Sequence, residues 1–115
     1  MFVTLKLNSN LQVGTFVCHD TNNTWRQATS SDVAPLGVVR RTFLDDEGVL
    51  WGEVVLSGSC LARCGASVSD HGGWLSVDDS GRAISGPAED CGLIAPLSRG
   101  QASRVADELI LVFIR

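Results

Sequence analysis

The residues that could do chemistry in this chain are four cysteines, two histidines, two pairs of adjacent aspartates and three tryptophans. Cys60 and Cys64 have three residues between them, and Cys18 adjoins His19. A tetrahedral zinc site could be drawn from those four. However, no second close-spaced pair converges by local geometry, as structural zinc sites require. Thiols used as small hydrophobes explain the cysteines more simply, and no metal is expected. Nucleophilic hydrolysis would need Cys60 or a serine beside a base held by a third group. The only bases of that kind are His19 and His71, both next to turn residues, and no Gly-x-Ser-x-Gly elbow occurs. Asp45-Asp46 and Asp78-Asp79 could suggest acid–base carboxylates, but short acidic side chains in turns satisfy nearby backbone N–H groups. No phosphate loop or dinucleotide fingerprint is present. Trp25, Trp51 and Trp74 could form a sugar platform. With four phenylalanines and no tyrosine beside them, they serve more simply to fill a small core or anchor an interface. The expectation is a non-enzyme with no catalytic residue and no cofactor.

The elements around these residues read as β throughout. Clusters of Gly, Asn, Asp, Pro or Ser interrupt the chain every eight to twelve residues or so, a rhythm of short strands. Phe2 to Leu7 alternates apolar and polar. Thr15 to His19 and Thr24 to Ala28 flank the turn Asp20–Asn23 as a hairpin. Leu75–Val77 and Arg82–Ile84 do the same around Asp78–Gly81. Gly37 to Phe43 is a strand, Asp45–Gly48 its turn, and Val49 to Ser57 the returning partner. Ser57-Gly-Ser59 reads as a break, Leu61 to Val68 as ambiguous, and Asp70–Gly73 as a turn. Gln101 to Glu108 reads as a turn or a single helical turn. Leu109 to Ile114 is almost wholly apolar. It should be buried on both faces, or on one face with an interface on the other.

The pattern occurs twice. Gly14-Thr-Phe-Val-Cys18 leads through Trp25 and Ala28 to Pro35-Leu-Gly-Val-Val39. Gly73-Trp-Leu-Ser-Val77 leads through Arg82 and Ile84 to Cys91-Gly-Leu-Ile-Ala95. The offset is about 55 to 59 residues, in the range of repeated supersecondary units. The expected fold is therefore all-β: a single domain over 1–115, a small β-barrel or β-sandwich built from two pseudo-repeated strand-turn-strand units at 11–58 and 59–115. Residues 1–10 form an N-terminal arm or a first strand.

Bulk composition narrows the partners. Charged residues make up 19% of the 115 and the net charge is −4. That is less charge than an ordinary soluble domain carries, which suggests surface hidden against a partner. There is no basic stripe to drive nucleic-acid binding, and no apolar run long enough to span a membrane as a helix. Arg40-Arg41 and Asp45-Asp-Glu47 read as solvated loop or edge charge. Met1 to Leu7 lacks the apolar core of a secretory leader, so the thiols should be reduced and the sequon Asn22-Asn-Thr24 accidental.

One resemblance rests on these phrases. Gly73-Trp-Leu-Ser-Val-Asp-Asp-Ser-Gly-Arg-Ala-Ile84 followed by Asp90-Cys-Gly-Leu-Ile-Ala95 is similar to the small head-decoration (capsid cement) proteins of tailed bacteriophages. Val54-Val-Leu-Ser-Gly58 resembles their linking strand and Leu109 to Ile114 their closing strand. The resemblance spans about Leu11 to Arg115. It implies a structural protein on the exterior of a virion, made in the host cytoplasm, that assembles as a homotrimer and bridges subunits of the major capsid protein. Nucleic acid and membrane are not partners in that reading. The side chains expected at interfaces are Phe2, Val3, Leu5, Leu7, Trp25, Trp51, Trp74, Leu109, Leu111 and Phe113. The alternatives are a tail, fibre or adaptor component, and a small ligand-binding β domain using the tryptophans.

Overall fold

The computed structural model describes residues 1–32, 36–65, 75–85, 94–97 and 106–114. In chain order the strands are β1 (Phe2–Lys6), β2 (Phe16–His19), β3 (Trp25–Gln27), β4 (Gly37–Leu44), β5 (Leu50–Val55), β6 (Gly58–Arg63), β7 (Leu75–Val77), β8 (Ala83–Ser85), β9 (Ile94–Leu97) and β10 (Leu109–Ile114). Among the described residues the only helical element is the 3-10 turn Thr21–Asn23. The chain is all-β, and its strand pairs are antiparallel.

Turn chemistry sets the hairpins. Between β4 and β5, the Asp45 carboxylate accepts from the N–H groups of Glu47 and Val49, both at 2.9 Å. Gly48 takes the positive φ (79°) that brings the chain back. Asp78 repeats the device between β7 and β8, accepting from Ser80 and Arg82 at 2.9 Å, with Gly81 at φ 70°. The β2–β3 hairpin uses Asn23 at φ 59°, a residue type that tolerates the left-handed region. The expected break at Ser57-Gly-Ser59 does not stop pairing. Gly58, at φ 92°, turns the chain directly into β6, so that strand begins inside the segment read as punctuation. Arg40 and Arg41 lie within β4 rather than in a loop, and the β4–β5 register shifts between Val39 and Arg41. Of the Gln101–Glu108 segment, Ala106 and Asp107 form a turn, and 101–105 lie outside the described residues.

The first half forms a sheet of order β1-β5-β4-β2-β3. The second contributes β6-β10-β9 and the hairpin β7-β8, with β7 beside β9. The order β6-β10-β9 follows that of β1-β5-β4, and β7 pairs with β8 as β2 does with β3, but β7–β8 is a separate sheet. Isolated bonds repeat as well. After β1, Leu7 N–H donates to Leu50 O (3.1 Å) and Asn8 N–H to Trp25 O (3.0 Å). After β6, Cys64 N–H donates to Glu108 O (2.9 Å) and Gly65 N–H to Ala83 O (2.7 Å). The residues Leu7–Trp25 and Cys64–Ala83 form parallel bridges at those points. Phe2–Lys6 pairs with β5 as the edge strand of its own sheet.

Two apolar clusters hold the halves. Leu7, Leu11, Val17, Val39 and Val54 form one, with Leu5, Trp25, Leu36, Leu50 and Leu56 against it. The second joins Phe16, Cys18, Ala28 and Val38 to Ala62, Cys64, Leu75, Val77, Ala83, Ile110, Val112 and Ile114. Alternation along each strand sends neighbouring residues to opposite faces, so β2 supplies Val17 to one cluster and Phe16 and Cys18 to the other. Backbone bonds cross between the halves: Phe16 N–H donates to Gly81 O and Arg63 N–H to Gly14 O, both at 2.9 Å.

Candidate interaction surface

The closing strand β10 is split by its alternation. Ile110, Val112 and Ile114 point into the core at 1% exposure or less, while Leu109 and Phe113 stand 43% and 48% exposed. Leu111, between them, is half-buried. The register pairs Leu111 with Leu61 of β6, which is itself exposed. Leu61, Leu109, Leu111 and Phe113 thus share one outer face of the β6–β10 ladder. Covering each of the three exposed members is worth roughly 1 kcal/mol, since about half of each side chain is open.

Beside this face, Val13, Arg40, Val55, Ser59, Cys60 and Leu61 line a cleft of about 230 Å³ between the two halves. Arg40 lies over the Phe2 ring, its guanidinium carbon 3.6 Å from the centroid. Its Nε donates to Glu53 Oε1 at 3.0 Å, and Arg41 meets the other Glu53 oxygen at 3.3 Å. Of the side chains expected at interfaces, Phe2 is exposed on this edge, and Val3 and Leu5 are half-buried. Leu7 is buried in the first cluster, so it serves the core. Trp25 is half-buried against that cluster, its ring edge-on to His19 with centroids 5.1 Å apart. Trp51 is half-buried and donates through Nε1 to Asp45 Oδ2 at 2.9 Å. Trp74, His71 and Cys91 lie outside the described residues.

The residues weighed for chemistry have structural environments. Cys18 and Cys64 are buried in the second cluster and Cys60 packs against it. Burial pushes the Cys60 thiol up to about 11. Cys18 is pushed to about 11 by burial and then by the neighbouring Asp32. Such thiols are poor nucleophiles near neutral pH. Among the described residues no group of three or more His, Cys, Asp or Glu side chains comes together. Asp45 and Asp78 are turn formers, and the bond from Trp51 lowers the pKa of Asp45. Asp79 accepts from both the N–H and the hydroxyl of Ser30 across the two halves, which lowers its pKa as well.

Sequence reasoning missed Asp32, which among the described residues is a heavily hydrogen-bonded carboxylate. Asp32 accepts two bonds from Arg26 (2.8 and 2.9 Å) and one from Thr29 N–H (2.7 Å). The Arg26 guanidinium holds it well below the usual carboxylate range. Only its position six residues after an arginine in a strand hinted at the pair. Asp107 pairs with both Arg63 and Arg82.

No protein-family model matches this chain, and no curated protein matches it.

Proposed function

We propose that this chain is a structural virion protein of the capsid-cement type. In this reading it binds the outer surface of a tailed-bacteriophage shell as a homotrimer and bridges subunits of the major capsid protein. It carries no catalytic group and no cofactor, and it contacts neither nucleic acid nor membrane. Its architecture is a tandem duplication of a five-stranded unit, each unit curling toward a small barrel through its Leu7–Trp25 or Cys64–Ala83 bridge.

The observation that carries the reading is the outer face of β10. An almost wholly apolar strand is held rigid by its inward side chains and offers Leu109, Leu111 and Phe113 outward. A shell-binding protein needs such surface, and gains avidity when several copies engage at once. Binding the assembled shell in preference to free subunits would stabilise the shell by mass action. A sugar platform is less well supported, because Trp25 and Trp51 are half-buried and packed or hydrogen-bonded within the fold.

The test is the copy number of this chain in purified particles, relative to the main shell protein, by quantitative mass spectrometry. A ratio near one per shell subunit, or a simple fraction of it, is expected. A few copies per particle would move the protein to the tail or fibre, and absence from particles would refute both virion readings.

A further inference from the structure

Two arginines of β4 share one carboxylate beside the cleft between the halves. Arg40 donates from Nε to Glu53 Oε1 at 3.0 Å, and Arg41 meets Glu53 Oε2 at 3.3 Å. Among the described residues neither arginine pairs with a second carboxylate. One positive charge is therefore unmatched at this edge, although the chain as a whole carries −4. A guanidinium has five N–H donors, and Arg40 gives one of them to Glu53. Its side chain is 47% exposed, with the Phe2 ring packed on the guanidinium.

The rest of the cleft is apolar or neutral. Val13, Val55 and Leu61 contribute aliphatic surface, and Ser59 a hydroxyl. Burial keeps the Cys60 thiol protonated at neutral pH, its pKa pushed up to about 11, so it adds no negative charge. The volume of about 230 Å³ lies below the roughly 300–1,000 Å³ of clefts that enclose a drug-sized ligand. It suits a single side chain. Leu61 belongs both to the cleft and to the outer face of the β6–β10 ladder, where Leu109 and Phe113 are also exposed. Apolar surface thus continues from the cleft outward, which suits an occupant that is itself part of a larger surface.

We infer that this cleft anchors a protein partner, taking one apolar side chain of it while Arg40 pairs with an aspartate or glutamate next to that side chain. Interfaces concentrate their energy in such buried anchors. The guanidinium supplies the selectivity, because charge-assisted hydrogen bonds to a carboxylate are stronger than those to a neutral amide. The inference does not rest on the capsid reading, since it fixes the chemistry of the partner and not its identity.

The test is an amide NMR titration of the full chain with N-acetyl-leucyl-glutamate amide. Two matched peptides go with it, one with glutamine in place of the glutamate and one with glycine in place of the leucine. The first peptide should give saturable shifts at Val13, Ser59, Cys60 and Leu61 in the millimolar range, as so few contact atoms allow. The glutamine peptide should bind about threefold more weakly, the size of an exposed ion pair, and the glycine peptide should not saturate. Arg40→Gln should erase the difference between glutamate and glutamine, and Arg40→Lys should keep most of it. Val13→Trp should block every peptide by filling the cleft. Thermal melting controls for folding, and the comparison of the three peptides on wild type stands without any variant. Equal binding of the glutamate and glutamine peptides to wild type overturns the inference, as do shifts that map elsewhere or fail to saturate. Free isocaproate binding far more tightly than the peptide also overturns it, because the cleft would then be a site for a small acid.

Discussion

Gly81 and Gly48 occupy the same turn in two settings, which makes them a matched pair for measuring how tightly the halves are locked. Each follows an aspartate by three residues, and each has φ between 70° and 79°. Replacing either by alanine imposes the cost of a left-handed L-residue, about 1–2 kcal/mol. A Cβ on Gly48 meets nothing within 4 Å. A Cβ on Gly81 would stand 2.7 Å from Thr15 Cγ2 and 2.9 Å from Gln27 Cγ, in the seam between the halves. Relieving that overlap adds about 1–3 kcal/mol of overpacking. Gly48→Ala should therefore cost about 1–2 kcal/mol and Gly81→Ala about 2–5. In urea unfolding the two midpoints should separate by roughly 1 M at unchanged slope. Unfolded-state effects of a Gly→Ala change are common to both and cancel in the difference. Equal midpoints would refute the seated turn.

Two further perturbations probe the core and the charge pairs. Ile110→Asp places a carboxyl at a position 1% exposed within the second cluster. The burial cost of several kcal/mol should consume most of the domain's stability, and a cooperative melt close to wild type would show that β10 is not a core strand. Asp32 has a folded-state pKa below its unfolded value because of Arg26. The stability it contributes is present above about pH 4 and is lost as the pH falls further, toward the folded value. Asp32→Asn should flatten the acid limb of a stability-versus-pH curve, and parallel curves for the two proteins would refute the assignment.

Local signals in the sequence were strong enough to place most strands. Asp-Asp-Glu-Gly and Asp-Asp-Ser-Gly specify their turns through one carboxylate and one glycine, so β4–β5 and β7–β8 could be read directly. The apolar run at 109–114 could be read as a strand, and its two faces were posed as alternatives. What could not be read was pairing at a distance. Nothing in Phe2–Lys6 names Leu50–Val55 as its neighbour, because an alternating edge strand fits many partners. Gly58 misled because glycine and serine punctuate loops, while here the positive φ of one glycine launches a strand. For the candidate surface, residue type pointed to Leu109, Leu111 and Phe113. It could not separate Leu7, whose N–H donates to Leu50 O just past β1 and whose side chain joins the core, from Phe2 within β1. Leu61 went unnoticed because it becomes part of the surface only through its register with Leu111.

The unequal make-up of the two apolar clusters bears on how the chain acquires its shape. Among the described residues the first cluster draws only on positions up to Leu56. The second needs Phe16, Cys18, Ala28 and Val38 from the first half as one of its walls. The order of folding is thereby biased. As synthesis proceeds from the N-terminus, the first half can consolidate early. The remaining strands then condense against a wall already standing, so the earlier half acts as a template for the later one.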